Sequence, residues 1–177
     1  MYDRILLPTD GSPATEKAIQ QALGLAEMSD ATLHVVSVAD QSAVPPDVRV
    51  GMMLDELEAN AEDAVAEVRK QADKEGVAVT TTVIRGVPHR AILDYAEDED
   101  VDVIVMGTHG RRGLNRYLVG SVTEKVVRLS DVPVLTVRMT DSGSERAAGG
   151  CRRLRWRSSI GVTAVGRLAS RRRSVTG

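Results

Sequence analysis

The sequence contains no phenylalanine, one tryptophan and three tyrosines, so aromatic residues occupy only 2% of its 177 positions. A core built from this chain must therefore be aliphatic. One cysteine excludes an internal disulfide, and three scattered histidines offer no metal-binding cluster. No apolar run reaches the length that crosses a bilayer. The first apolar run, "RILL", is broken by Pro8, Thr9 and Asp10 before it can serve as the hydrophobic stretch of a signal peptide. Neither secretion, zinc chemistry nor a membrane partner is expected, and the cytoplasm is the expected compartment.

What is present is the balance of a globular protein, with 42% hydrophobic and 27% charged residues. At this length one substantial core is expected. The net charge of -2 hides two unlike segments. Residues 139–177 carry nine arginines against two acidic residues, net +7, whereas residues 1–138 carry 14 basic and 23 acidic residues, net -9. A body this acidic does not seek out nucleic acid nonspecifically. The tail reads either as a basic arm for nucleic acid or another acidic surface, or as a disordered or accidental extension. The second reading is preferred, because its arginines cluster between Gly/Ser breaks without periodicity. The expected division is a folded domain over 1–138 and an arginine-rich, disordered tail over 139–177.

Within the body, strand and helix patterns alternate. Arg4 to Leu7 reads as a short buried strand ending at Pro8. Ser12 and Pro13 then supply an N-cap and a first-turn proline for a helix over about 13–28. Thr32 to Val38, "TLHVVSV", is a β-branched strand, and residues 39–51 look like a mobile loop around the paired prolines 45 and 46. Leu54, Leu57, Ala61, Ala64, Val65, Val68 and Ala72 mark a long amphipathic helix that Gly76 is placed to end. Val77 to Ile84 is a third strand, broken by Gly86 and Pro88 before a helix bearing Ala91, Ile92, Tyr95 and Ala96. Asp102 to Met106 is a fourth strand, 121–130 a helix, and "VPVLTV" over 132–137 a fifth strand. Strands apolar on both faces and separated by helices imply an open α/β fold: a five-stranded parallel sheet, order 3-2-1-4-5, Rossmann-like, with helices on both faces. The ligand crevice of such a sheet lies beyond the carboxyl ends of strands 1 and 4, where the winding reverses. Asp10 follows the first of these strands and a glycine-rich segment follows the second.

That segment, "MGTHGRRGLNRYLVGS", can hold a phosphate or merely turn. Gly107 leaves strand 4 where a missing Cβ permits close backbone approach, and Gly120 with Ser121 opens a helix whose unpaired N–H groups attract anions. Ser121 can equally be an N-cap, with Glu124 at the capping-box position. The spacing is not that of a Walker loop, and no GxGxxG follows strand 1, which disfavours a dinucleotide. A phosphoacceptor receiver domain lacks its acidic pair after strand 1. Asp10 suits a magnesium ion or a ribose hydroxyl, or else it accepts N–H bonds within its own "TDGS" turn. Arg111, Arg112 and Arg116 either screen a triphosphate or are solvated surface. His109 lacks an evident orienting carboxylate, so no catalytic residue is assigned.

The segment "MGTHGRRGLNRYLVGSVTEKVVRLSDVPVLTV" resembles the signature of the universal stress protein family, whose ATP-binding members carry Gly-x2-Gly-x9-Gly-[Ser/Thr]. Those positions are Gly107, Gly110, Gly120 and Ser121, and "DRILLPTDGS" matches the family's first strand with its Asp10. The resemblance covers residues 1 to about 138. It implies ATP with Mg²⁺ as the ligand, with adenine near the backbone of Val38 and Pro8, Thr9 and Asp10 lining adenine and ribose. Met106, Gly107 and Gly110 approach ribose and α-phosphate; Gly120, Ser121, Val122 and Thr123 hold the outer phosphates. It also implies a homodimer through strand 134–137, which agrees with the need to close an apolar edge. Gly113 falls outside the motif and reads as a turn. The leading expectation is an ATP-binding stress-response module, regulatory or protective, with at most slow hydrolysis and a protein partner the sequence does not identify. The runner-up is a dimeric scaffold that binds no nucleotide and uses the same glycines for turns. An adenine-nucleotide hydrolase is weakened by "TDGSPAT" where an SGGxDS-like loop belongs.

Overall fold

The computed structural model describes residues 1–43, 50–108 and 119–138. The expected tail over 139–177, and Gly110 with its neighbours His109 to Arg116, lie outside the described residues. Five strands, β1 (Arg4–Pro8), β2 (Thr32–Asp40), β3 (Val79–Gly86), β4 (Val103–Gly107) and β5 (Val134–Val137), form one sheet in the order β3-β2-β1-β4-β5. Every pairing is parallel. The intervening helices are α1 (Glu16–Ser29), α2 (Val50–Glu75), α3 (Pro88–Asp98) and α4 (Ser121–Leu129). This is the open, Rossmann-like α/β fold that the alternation dictates.

Each face of the sheet buries its own aliphatic cluster. Ile5, Leu7, Leu33, Val35, Val103 and Val105 meet α1 and α2 on one side. On the other side Leu6, Val36, Ile104 and Met106 meet Ile92 and Ala96 of α3 and Val126 of α4. Successive strand residues thus point to opposite clusters, as the pleat requires. Because both faces are covered, β1 and β4 read as unbroken apolar runs and not as alternating ones.

Three helices end in the same way. Asp30, Gly76 and Asp100 adopt left-handed backbone, at φ 55°, 72° and 47°. The next residue's N–H then reaches back to a carbonyl of the last turn: Ala31 to Ala26, Val77 to Ala72 and Val101 to Ala96, each at 3.0 Å. This satisfies carbonyls the helix leaves open and turns the chain straight into the following strand. Only the glycine announces the motif in the sequence; the two aspartates tolerate the conformation without advertising it.

Several expected boundaries move. β2 does not stop at Val38, because its ladder with β3 continues as far as Asp40 opposite Gly86. Gly86 therefore closes β3 and does not break it. The expected loop over 39–51 contains the end of β2, a 3₁₀ turn at Gln41–Ala43 and the start of α2, with residues 44–49 outside the described residues. Ser12 is not the cap of α1 itself. It precedes a 3₁₀ turn, Pro13–Thr15, and makes no side-chain cap bond.

Candidate functional site

The register of β1 with β2 ends at Pro8 opposite Val36, and there the Thr9 N–H donates to the Val36 carbonyl at 2.9 Å. After that bond β1 leaves the sheet. Val38, two residues further along β2, has the same orientation as Val36. Its N–H and C=O therefore face the space beyond the end of β1.

The chain leaving β1 is held in a tight hydroxyl network. Gly11 takes left-handed backbone, φ 71°, so that the Ser12 N–H donates to Asp10 Oδ1 at 3.0 Å. The Thr9 hydroxyl accepts the Gly11 N–H at 3.2 Å, and Thr15 Oγ1 donates to the Ser12 carbonyl at 2.8 Å. With the Thr15 proton committed, the 3.3 Å contact between the two threonine hydroxyls is a donation from Thr9 to Thr15. Thr9 and Thr15 are both buried, and their geometry fixes where the Asp10 backbone passes.

Across the switch point, the end of β4 is tied to the start of α4. The Thr108 N–H donates to the Val137 carbonyl at 3.0 Å, and the Gly120 N–H donates to the Thr108 carbonyl at 2.7 Å. The buried Thr123 hydroxyl donates to the Gly107 carbonyl at 2.9 Å. Gly120 is the N-cap of α4, and its carbonyl accepts the Glu124 N–H at 2.9 Å. The amides of Ser121, Val122 and Thr123 precede that first helical bond and have no intrahelical acceptor. The Gly120 N–H is taken by the Thr108 carbonyl, so the open amides of α4 begin at Ser121. One sequence alternative needs correction here. Ser121 is the first helical residue and not the cap, so the capping box with Glu124 is not formed.

These elements surround one cavity of about 380 Å³, within the range of small-molecule sites. Pro8, Thr9, Asp10, Val38, Met106, Gly107, Gly120, Ser121, Val122 and Thr123 all line it. Sequence reasoning missed the other walls: Asp40 from β2, Leu57, Asn60 and Ala61 from α2, and Pro88 and Ile92 from α3. The periodicity of α2 marks its buried face but not how far along the sheet that face reaches. α3 and α4 both begin at this edge, and Pro88 and Ser121 both line the cavity, so two positive helix ends border it. Beside the start of α3, burial and the nearby Lys125 and Arg90 charges hold the His89 imidazole below its ordinary pKa. A second cavity of about 460 Å³ lies between α1 and α2, lined among others by Glu16, Asp63, Glu67 and Gln71. It shares Thr9, Thr15 and Asn60 with the first.

Among the described residues no group of three or more His, Cys, Asp or Glu side chains is arranged to hold a metal. No helix among them is long and apolar enough to cross a membrane. Asp10 is the carboxylate closest in sequence to the switch point, with one oxygen already accepting the Ser12 N–H.

Comparison with known proteins agrees with the fold. The chain is 36% identical over 141 residues to universal stress protein MJ0531 of Methanocaldococcus jannaschii, covering 78% of this chain and 83% of that protein. The solved structure of protein MJ0577, from the same organism, superposes with a TM-score of 0.74 at 32% identity, covering 80% of this chain and 99% of that one. Universal stress protein UspA from Lactobacillus plantarum superposes at 0.71 with 32% identity, over 77% and 98% of the two chains. More distant structures of the same fold, at 24% and 22% identity, are a universal stress protein in complex with cAMP and one from Archaeoglobus fulgidus in complex with dAMP. Residues 1–138 match the sequence model of the universal stress protein family, and the chain belongs to that family.

Proposed function

We propose that this chain is an ATP-binding stress-response module, holding the nucleotide with Mg²⁺ in the cavity at the β1/β4 switch point. The observation that carries the reading is the convergence on one cavity of two complementary surfaces. One is the Val38 backbone edge beside Pro8, Thr9 and Asp10, which suits a purine nucleoside. The other is the Ser121 to Thr123 amides at the start of α4, which suit phosphate oxygens. Met106 and Gly107 also line the cavity.

The residues suit binding better than fast turnover. The described walls of the cavity contribute carboxylates, hydroxyls and amides, but no histidine, lysine or arginine to move a proton or stabilise a leaving phosphate. Nucleotide-dependent contact with a protein partner, with at most slow hydrolysis, is the function this geometry supports. Asp10, which lines the cavity, would help to hold Mg²⁺, and the ion would neutralise phosphate charge. The β5 edge, with Leu135 exposed, is the seam through which two copies would pair. The arginine-rich segment 139–177 would lie outside this nucleotide-binding domain.

Titration with ATP and Mg²⁺, alongside a folded Gly120→Val variant, tests the reading. A binding constant in the wild type that weakens about tenfold or more in the variant supports it, since a branched side chain at the cap crowds the anion. Equal affinity in both proteins, or none in either, favours the nucleotide-free dimeric scaffold.

A further inference from the structure

One wall of the cavity has chemistry that the site motif does not use. Asp40 is the last residue of β2, and its Oδ1 accepts both the N–H of Ser42 at 3.0 Å and the Ser42 hydroxyl at 2.5 Å. A carboxylate held twice through one oxygen keeps its plane, and its other oxygen, Oδ2, has no hydrogen-bond partner among the described residues. Strand alternation puts Asp40 on the same sheet face as Val36 and Val38. It lines the cavity two residues beyond the Val38 backbone edge.

The distribution of charge gives the cavity a direction. Asp10 and Asp40 stand at the ends of β1 and β2, whereas the open amides of α4 lie beyond β4. α3 opens on Pro88, which has no N–H, and its Arg90 N–H is taken by the Val87 carbonyl, so an anionic group is received at the three open amides of α4 and is repelled by Asp40. The neutral end of a nucleotide must then lie along β2, against Val38 and Asp40. We propose that Asp40 is the base-selecting residue of this site: its Oδ2 accepts a hydrogen bond from the 6-amino group of a purine and repels the oxygen of a 6-oxo purine. The inference rests on the nucleotide reading above.

The chemistry is directional. A 6-amino group carries two N–H bonds, one for the Val38 carbonyl and one for Asp40. A 6-oxo group brings only lone pairs, so it offers Asp40 no donor and sets an oxygen against a carboxylate. Sites built around a substrate's donor reject analogues that lack it, because the protein's own polar groups are left unsatisfied.

The test compares dissociation constants for ATP, ITP and 2′-deoxy-ATP, each with Mg²⁺, on the wild type and on Asp40→Asn. The wild type should favour ATP over ITP by about tenfold or more, the worth of one charge-assisted hydrogen bond. In Asp40→Asn that ratio should fall about tenfold, with ATP weaker and ITP tighter because a carboxamide can donate to the 6-oxygen. The ratio of ATP to 2′-deoxy-ATP should not move. An unchanged ATP:ITP ratio, with ATP still bound, overturns this inference alone. So does a change in the deoxy ratio in its place, which would assign Asp40 to the ribose. Failure of the wild type to bind ATP overturns the nucleotide reading and this inference together. If Asp40→Asn does not fold, Ser42→Ala decides, since it keeps the carboxylate but removes one of its two anchors. The ATP:ITP ratio should then fall about threefold, and no change would overturn the inference.

Discussion

The Thr123 hydroxyl donates to the Gly107 carbonyl across 2.9 Å, joining the first turn of α4 to the last residue of β4. Both groups are buried, so the bond is made away from water. It sets the distance between the strand end that would approach a nucleotide's sugar and the helix start that would receive its phosphates. Thr123→Val keeps the shape and removes the donor, leaving the carbonyl unsatisfied. Stability should fall by about 1–3 kcal/mol, measured by urea denaturation. ATP affinity should fall with it, because α4 would no longer be held in register with β4.

His34 gives the fold a pH dependence. It lies almost fully buried in β2, with Nδ1 3.0 Å from the Tyr95 hydroxyl and its ring edge-on to that tyrosine. Burial lowers its pKa, the Glu99 carboxylate opposes that shift and the Arg4 charge adds to it. The unfolded chain therefore binds the proton more readily than the folded one. Stability from this residue is complete above the unfolded value of about 6.5 and declines as pH falls below it. Urea midpoints measured between neutral and mildly acid pH should drop toward acid, and a folded His34→Gln variant should show a shallower slope. An identical slope in the two proteins would assign the effect elsewhere.

Asp102 acts in the same sense, in a lower range of pH. Its Oδ2 accepts the N–H groups of Asp3 and Arg4, at 2.7 and 2.8 Å, and clips the start of β1 to the start of β4. Those backbone bonds, Arg4 first, hold its carboxyl below the ordinary carboxylate range. Stability from Asp102 is present above its unfolded pKa and is lost as pH falls through the lower folded value. Because the site is exposed, the effect is small. Asp102→Asn should lower the melting temperature by a few degrees at neutral pH and show no difference from the wild type in strong acid.

Much of this was legible in the sequence because a parallel sheet has a loud signature. β1 and β4 are unbroken aliphatic runs, and the helices between strands carry an apolar stripe at helical spacing, so the order 3-2-1-4-5 and the switch point follow. The residues after β1, and those of the glycine segment that are described, arrive at one cavity as expected. What the sequence concealed depends on register and on local hydrogen bonding. Nothing in "VSVADQS" shows that β2 runs on to Asp40, since that depends on how far β3 accompanies it. Nor does "GSVTE" show that Gly120 takes the cap and spends its N–H on Thr108. Asn60 and Leu57 reach the cavity only because α2 crosses the sheet where it does.

The edge strand offers a test of assembly. Leu135 on β5 and Val127 and Leu129 on α4 are each about half exposed, at 43%, 49% and 52%. A lysine at 135 places a charge on a seam that must be dry for two copies to pair. Sedimentation velocity should show Leu135→Lys shifted toward monomer with its circular dichroism spectrum unchanged. An unaltered dimer would place the seam elsewhere.

The most direct measurement follows backbone amide resonances while ATP and Mg²⁺ are added to the protein. Saturating ATP, at about a hundredfold over its dissociation constant, should also raise stability by about 2.7 kcal/mol. The largest shifts should fall on Val38 and on Ser121, Val122 and Thr123, the amides at the two ends of the cavity. No shifts, or shifts confined to the groove between α1 and α2 around Glu16 and Asp63, would contradict the account.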